Sequence, residues 1–294
     1  MSEFPQTLTK KIDRIEAEGG IEVGAVDFTI NDPDAVRASF EPHLVFAQTV
    51  EIEVPTTAQG IRTLLPNMHS ELARFLDAWE AQETQHGRLL GIHLYQLGLN
   101  NLPIRDKVPP SLRLAGKIAG FSPGMHNMVE LIYAHEGSLV ERETSGFYGL
   151  WSEGLHAIGE PALAETLVRP IGKQEAGHLG VYRQIAKETW PQLSSYQQWL
   201  ARELITRTYM PPGVRVGSRG QERRSALGHA ILLSSGGNEE VIRRVTDPVE
   251  RLAAELFEIS VDDMPPFLRK RYLEAIDEYR ASQAIADASE PHAA

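Results

Sequence analysis

Two Glu-x-x-His steps, Glu83/His86 and Glu175/His178, sit 92 residues apart, and each follows a lone glutamate, Glu51 or Glu141, by about one helical hairpin. Residues three apart share a helix face, so each step presents a carboxylate and an imidazole side by side. The string alone is common, and Glu153/His156 has it too. Level is what separates them: in an antiparallel helix pair, two residues lie at the same height only when the turn falls midway between them. Glu51 and Glu83 have their midpoint at residue 67, beside Pro66 and Asn67, and Glu141 and Glu175 have theirs at 158, beside Gly159-Glu160-Pro161. The halves also repeat, since Glu51 to Glu141 spans 90 residues and Glu83 to Glu175 spans 92. Glu153 lies about 120° around the helix from Glu141, so Glu153/His156 is read as surface.

The hydrophobic periodicity around these residues is helical. It predicts helices over about 42–61, 69–98, 126–157 and 161–189, the last kinked at Pro170, and further helices at 193–208, 221–233, 238–259 and 265–285. Pro103, Pro109, Pro110, Pro123 and Gly124 mark the longest connection, with one short helix at 112–119. Residues 1–34 read as an irregular lead-in with at most short helices, because Gly19-Gly20 and Asn31-Asp32-Pro33-Asp34 act as breakers. Residues 35–285 read as one all-α, ferritin-like bundle, and 286–294 as a disordered tail. Convincing period-2 strands are absent.

The chain has no cysteine, which removes disulfides, iron–sulfur clusters and thiolate zinc sites and leaves oxygen and imidazole to hold any metal. One Glu from each of two helices plus a Glu-x-x-His from each of two others is the donor set of di-iron carboxylate bundles. Hard oxygen donors with two imidazoles suit iron or manganese better than copper or a structural zinc. Two iron ions are therefore expected on Glu51, Glu83, His86, Glu141, Glu175 and His178. The rival reading makes these residues solvated glutamates and satisfied core histidines, and the shared level of all six argues against it. A net charge of -11 disfavours nucleic acid and anionic membranes as partners. With no signal-like start and no long apolar run, a cytoplasmic protein without a membrane span is expected.

Trp79-Glu80-Ala81-Gln82-Glu83-Thr84-Gln85-His86-Gly87, with Leu89-Leu90 and Leu94-Tyr95, resembles the first Glu-x-x-His helix of the soluble acyl-carrier-protein desaturases. Glu51-Ile52-Glu53-Val54-Pro55-Thr56 resembles that family's Glu-Glu-Ala-Leu-Pro-Thr, and Glu141-Arg142-Glu143-Thr144 its Glu-Arg-Ala-Thr. Tyr209-Met210-Pro211 falls where the family has a Met-Pro, and the likeness covers about residues 35–215. Pro55 lies four after Glu51 as in the family, which favours Glu51 over Glu53 as ligand.

The resemblance implies a dioxygen-dependent reaction that removes two hydrogens from adjacent methylenes of an acyl chain on an acyl-carrier protein, leaving a cis double bond. It implies Thr144 as a catalytic residue on the oxygen side, against the plainer reading of a helix threonine bonding back to a carbonyl. It also implies a homodimer and an external electron donor such as ferredoxin, since a cysteine-free chain stores no electrons. Trp79 is read as core packing ahead of electron transfer. The densest basic stretch, Arg215, Arg219, Arg223 and Arg224, reads as a solvated loop ahead of a carrier-docking patch.

Departures from the family weaken the substrate assignment. Gln82 and Gln174 stand where the family has an acidic residue before each motif glutamate, Ala176-Gly177 replaces a charged pair, and nothing matches beyond about residue 220. Groups outside the ligand shell orient ligands and tune the metal. Two alternatives follow: hydroxylation or N-oxygenation on the same centre, and a ferritin-like iron-binding protein without turnover. Pocket shape discriminates them, because a desaturase needs a narrow apolar channel past the metals whereas an iron store needs an ion path.

Overall fold

A layer of charge cuts across four helices whose inner faces are otherwise apolar. The computed structural model describes residues 6–99, 116–117, 123–214 and 220–289. In chain order the helices are α1 (Gln6–Glu18), α2 (Pro33–Ile52), α3 (Val54–Leu64), α4 (Ser70–Gln96), α5 (Pro123–Ala157), α6 (Arg169–Thr189), α7 (Ser195–Thr208), α8 (Gly220–Ser235), α9 (Glu239–Leu256) and α10 (Phe267–Ser289). Among the described residues there is no strand, and no helix is long and apolar enough to cross a membrane. The fold is an all-α bundle.

Hairpins α2/α4 and α5/α6 form the central four helices, joined through α4 against α6. Along α4, Leu72, Phe75 and Leu76 belong to one apolar cluster and Leu89, Leu90 and Leu94 to another, with Glu83 and His86 between. Helix α6 repeats the pattern in reverse: Ile171 lies in the second cluster, Val181 and Ile185 in the first, and Glu175 and His178 between. The turns fall at 65–69 and 158–160, so both glutamate pairs are level as their midpoints require. Helices α8 and α10 pack on one another, α8 covers α2, and α9 covers α5.

The N-terminal region departs from expectation. Residues 6–18 form a 13-residue helix in place of an irregular lead-in, because Leu8, Ile12 and Ile15 recur at helical spacing and are buried against the bundle. The breaker Asn31-Asp32-Pro33-Asp34 is a helix start. Asp32 accepts the backbone N–H of Ala35 at 2.9 Å, and Pro33 occupies a first-turn position whose N–H has no partner to lose. Helix α2 thus begins nine residues before the expected 42, and the boundary drawn between 34 and 35 falls inside it. It ends at Ile52 rather than continuing to 61, because Pro55 has no N–H to offer the carbonyl of Glu51.

Ahead of Pro170, where a kink is expected, the backbone is π-helical over Ala164–Val168, and Pro170 falls in the first turn of α6. The final helix runs to Ser289, four residues into the segment read as a tail, and 290–294 lie outside the described residues. The short crossover helix also falls largely outside them, only residues 116–117 being described and helical. Arg223 points inward and is bound by Glu53, while Arg224 pairs with Glu278 at 2.9 Å, so neither stands free as part of a basic patch. Arg215 and Arg219 lie outside the described residues.

Gly87 sets the approach of α4 to α2 at the ligand level. A Cβ there would lie 2.7 Å from the backbone nitrogen of Ile52. Gly87→Ala is therefore expected to cost about 1–3 kcal/mol in denaturant unfolding, with loss of metal occupancy, because backbone must move one residue from Glu51.

Candidate metal centre

The six residues meet. Glu51 comes from α2, Glu83 and His86 from α4, Glu141 from α5, and Glu175 and His178 from α6, and all are at most 4% exposed. Their ligand atoms form two overlapping groups, Glu51/Glu83/His86/Glu175 and Glu83/Glu141/Glu175/His178, each with every atom within 4.8 Å of the others. Glu83 and Glu175 belong to both, as bridging carboxylates would. Glu51 and Glu141 each close one end.

The ligand atoms crowd into one space, with Nδ1 of His86 in hydrogen-bond contact with Oε2 of Glu83 at 3.2 Å. Nδ1 of His178 lies 2.9 Å from an oxygen of Glu83, yet makes no hydrogen bond of acceptable geometry, and Oε1 of Glu175 is also without one. Four buried carboxylates with no cation would repel strongly, so a donor set of this shape fits two divalent cations.

Electrostatics in the metal-free protein give the same picture. Burial, with the charges of Glu83 and Glu175 beside it, pushes Glu51 well above the usual carboxylate range, and burial with the charge of Glu175 does so for Glu141. Burial opposes ionisation of Glu83 as well, but the imidazoles of His178 and His86 beside it carry it well below that range. Glu175 is lowered despite burial and the charge of Glu83, through its close contacts with Glu141, His178 and His86. Burial alone would lower both imidazoles; the carboxylates of Glu175 and Glu83 beside it raise His86 to about 9, and those of Glu141, Glu175 and Glu83 raise His178 well above its ordinary value. Two imidazoliums then face two carboxylates and two neutral carboxyls. Two divalent cations on four carboxylates would restore the same neutrality.

Four of the six residues are held by a partner from the opposite hairpin. Gln82, adjacent to Glu83, contacts Nε2 of His178 through Oε1 at 2.7 Å, and Gln174, adjacent to Glu175, contacts Nε2 of His86 at 2.7 Å. Both side-chain amides donate to the carbonyl of Gly19, at 2.6 and 2.9 Å, which leaves each Oε1 to accept an imidazole N–H. Nδ1 of each ring thereby faces the carboxylates. Gly19 ends α1 with φ +58, a left-handed conformation that glycine adopts without strain. The N-terminal helix thus lids the centre. Oη of Tyr148 donates to Glu51 at 2.8 Å and Nε1 of Trp79 donates to Glu141 at 3.0 Å.

Sequence reasoning flagged both glutamines as departures, read Trp79 as packing ahead of electron transfer, and missed Tyr148. The signal was present: Tyr148 lies seven residues, two turns, beyond Glu141. Glu53 sits two residues from Glu51 but binds Arg223, so it is not part of the cluster. Glu153 and His156 are exposed and pair with Arg244 and Glu165. Thr144 donates to the carbonyl of Val140 at 2.9 Å and lines a cavity at Glu51.

That cavity, about 60 Å³, is walled by Phe46, Ala47, Val50, Phe147, Tyr148 and Leu227 among others. Its outer wall, His43, Phe147 and Trp151, is shared with a larger cavity of about 680 Å³ between α2, α5, α8 and α9. A third, of about 320 Å³, adjoins Glu141 and is lined by Trp79, Tyr133 and Tyr182. Glu143 also faces the first cavity; burial raises it to about 7, and it accepts hydrogen bonds from Tyr209 and Tyr272. No protein-family model matches the chain, and a comparison with curated proteins finds no match.

Two predictions follow from this geometry. Protons compete with metal at His86, His178, Glu51 and Glu141, so affinity for Co²⁺ is expected to climb as pH rises towards about 9, with as many as four protons released when both positions fill. Calorimetry in buffers of different ionisation enthalpy counts them. The metal-free protein should move oppositely: the folded His86 value is raised from 6.5 to about 9, so its ion pairs stabilise fully below 6.5 and are lost as pH rises through 9. Second, Gln174→Leu and Gln82→Leu should each weaken metal binding about 10–100-fold by freeing His86 or His178, with little change in helix content.

Proposed function

We propose that this chain is a dioxygen-dependent di-iron desaturase that places a cis double bond in an acyl chain carried by an acyl-carrier protein. The observation that carries the reading is the junction of a two-metal donor set with a narrow apolar cavity reaching Glu51. Two irons on these ligands would supply the oxidising power needed to remove hydrogens from unactivated methylenes, which side chains lack. The chain's own residues do the rest. Phe46, Val50, Phe147 and Leu227 exclude water and hold methylenes against the Glu51 end. Tyr148 and Trp79 fix the two end carboxylates, and Gln82 and Gln174 set the imidazole tautomers. Thr144 holds its hydroxyl proton on the carbonyl of Val140, one bond rotation from the cavity it lines.

The chemistry consumes two electrons, so a ferredoxin or similar donor belongs to the same proposal, as does a homodimer of the kind the resemblance implies. A second reading, hydroxylation or N-oxygenation on the same centre, draws support from Gln82 and Gln174, because neutral acceptors push less electron density through His178 and His86 than carboxylates would. An iron store without turnover leaves the aromatic-walled cavity unexplained.

The test is metal analysis of the iron-reconstituted protein, then mass spectrometry of saturated acyl-carrier-protein substrates after incubation with dioxygen, ferredoxin, its reductase and NADPH. Loss of two hydrogens from the acyl chain is the expected result. Gain of an oxygen atom would select the second reading, and a protein that binds no metal would overturn both. Glu83→Ala and His178→Ala should abolish metal binding and turnover, whereas His156→Ala should leave both intact, as an exposed residue paired with Glu165. Thr144→Val should retain metal and form less product per dioxygen consumed.

A further inference from the structure

Where the outer cavity meets the one that reaches Glu51, two buried polar atoms have no hydrogen-bond partner among the described residues: Nδ1 of His43 and Nε1 of Trp151. Both residues line both cavities, and each is 4% exposed. Their surroundings are aromatic. The ring of Phe40 lies 5.9 Å from His43 and 6.4 Å from Trp151, and that of Phe147 lies 5.9 Å from His43. Buried polar groups are ordinarily satisfied, so two orphans on one cavity wall call for a ligand.

The neighbours of His43 settle which nitrogen holds its proton. Ser234 donates its one hydroxyl proton to the carbonyl of Ala230 at 2.7 Å, so its 2.5 Å contact with Nε2 of His43 requires Nε2 to be the donor. In a neutral imidazole Nδ1 is then a bare acceptor, and burial, the main cause of a value lowered to about 4, keeps the ring neutral. The indole N–H of Trp151 can only donate. The wall therefore offers one acceptor and one donor beside the rings of Phe40 and Phe147.

We propose that His43 and Trp151 form a substrate subsite for a group that both donates and accepts a hydrogen bond, a secondary amide being the best match because its N–H and C=O can serve both at once. The subsite lies eight residues before Glu51 on α2, roughly 12 Å along the helix axis, with Ala47 between them on the same face. A ligand anchored there presents a chain segment at fixed distance to the metal centre. The pair thus selects which C–C bond is placed against the metals. This rests on reading the cavity as the substrate channel.

The test is direct binding, by calorimetry on the full-length chain with and without reconstituted metal, of N-decylacetamide, the methyl ketone of equal length and the primary alcohol of equal length. The ketone keeps the acceptor but lacks the donor. The expected result is an amide bound about tenfold tighter than the ketone, the worth of one hydrogen bond. His43→Leu should erase that preference while leaving ketone binding unchanged. Trp151→Phe, which keeps a ring in place, should weaken amide and ketone alike about tenfold. Circular dichroism and metal content check that both variants fold. An alcohol bound tighter than the amide would support the subsite and identify a hydroxyl as its group. Amide and alcohol both bound no tighter than the ketone by the unaltered protein would overturn it, as would an amide preference surviving His43→Leu. None of these measurements reads turnover, so a failure of the desaturase reading and a failure of the subsite are separable.

Discussion

Four carboxylates buried in one layer are the constraint on which the rest of this structure depends. In apolar surroundings their mutual repulsion would drive the helices apart unless positive charge stood between them. The metal-free protein meets this with protons, charging His86 and His178 and neutralising Glu51 and Glu141, and a loaded centre would meet it with two divalent cations. Both arrangements are close to neutral. The same helices can therefore fold around either, and metal uptake becomes an exchange of cations for protons rather than the making of a new fold.

Precision at such a centre comes from bracing. Gln82 and Gln174 cross between the hairpins, each sitting beside its own glutamate and holding the other hairpin's histidine. Both are tied to the single carbonyl of Gly19, so the end of α1 locks the two halves in register. Trp79 and Tyr148 do the corresponding work for the end carboxylates, and both are large rigid groups whose rings are packed in the two apolar clusters. The apolar layers above and below thus set the angle at which the polar layer meets a metal.

The sequence by itself determined the level of the site. Helical periodicity, two turns at the midpoints of two glutamate pairs and a pair of Glu-x-x-His steps leave one arrangement in which the six side chains converge, and the all-α bundle follows from burying the stripes they sit on. Those are local and additive signals, carried by spacing along one helix or across one turn. The same kind of signal was present for α1 in Leu8, Ile12 and Ile15, and for the start of α2 in Asp32-Pro33, but Gly19 and Pro33 masked it by reading as breakers.

Only the tertiary structure decided which polar residues brace the centre and which residues wall the cavities beside it. Gln82 meets His178 across 96 residues, Tyr148 meets Glu51 across 97, and Arg223 takes Glu53 out of contention across 170. No spacing rule reaches that far, because such contacts depend on the angle at which one hairpin packs against the other. His43 and Trp151 carry no sign of their role in the sequence for the same reason: an unsatisfied hydrogen-bonding atom is defined by what fails to come near it, and that is settled only once every neighbouring helix is in place.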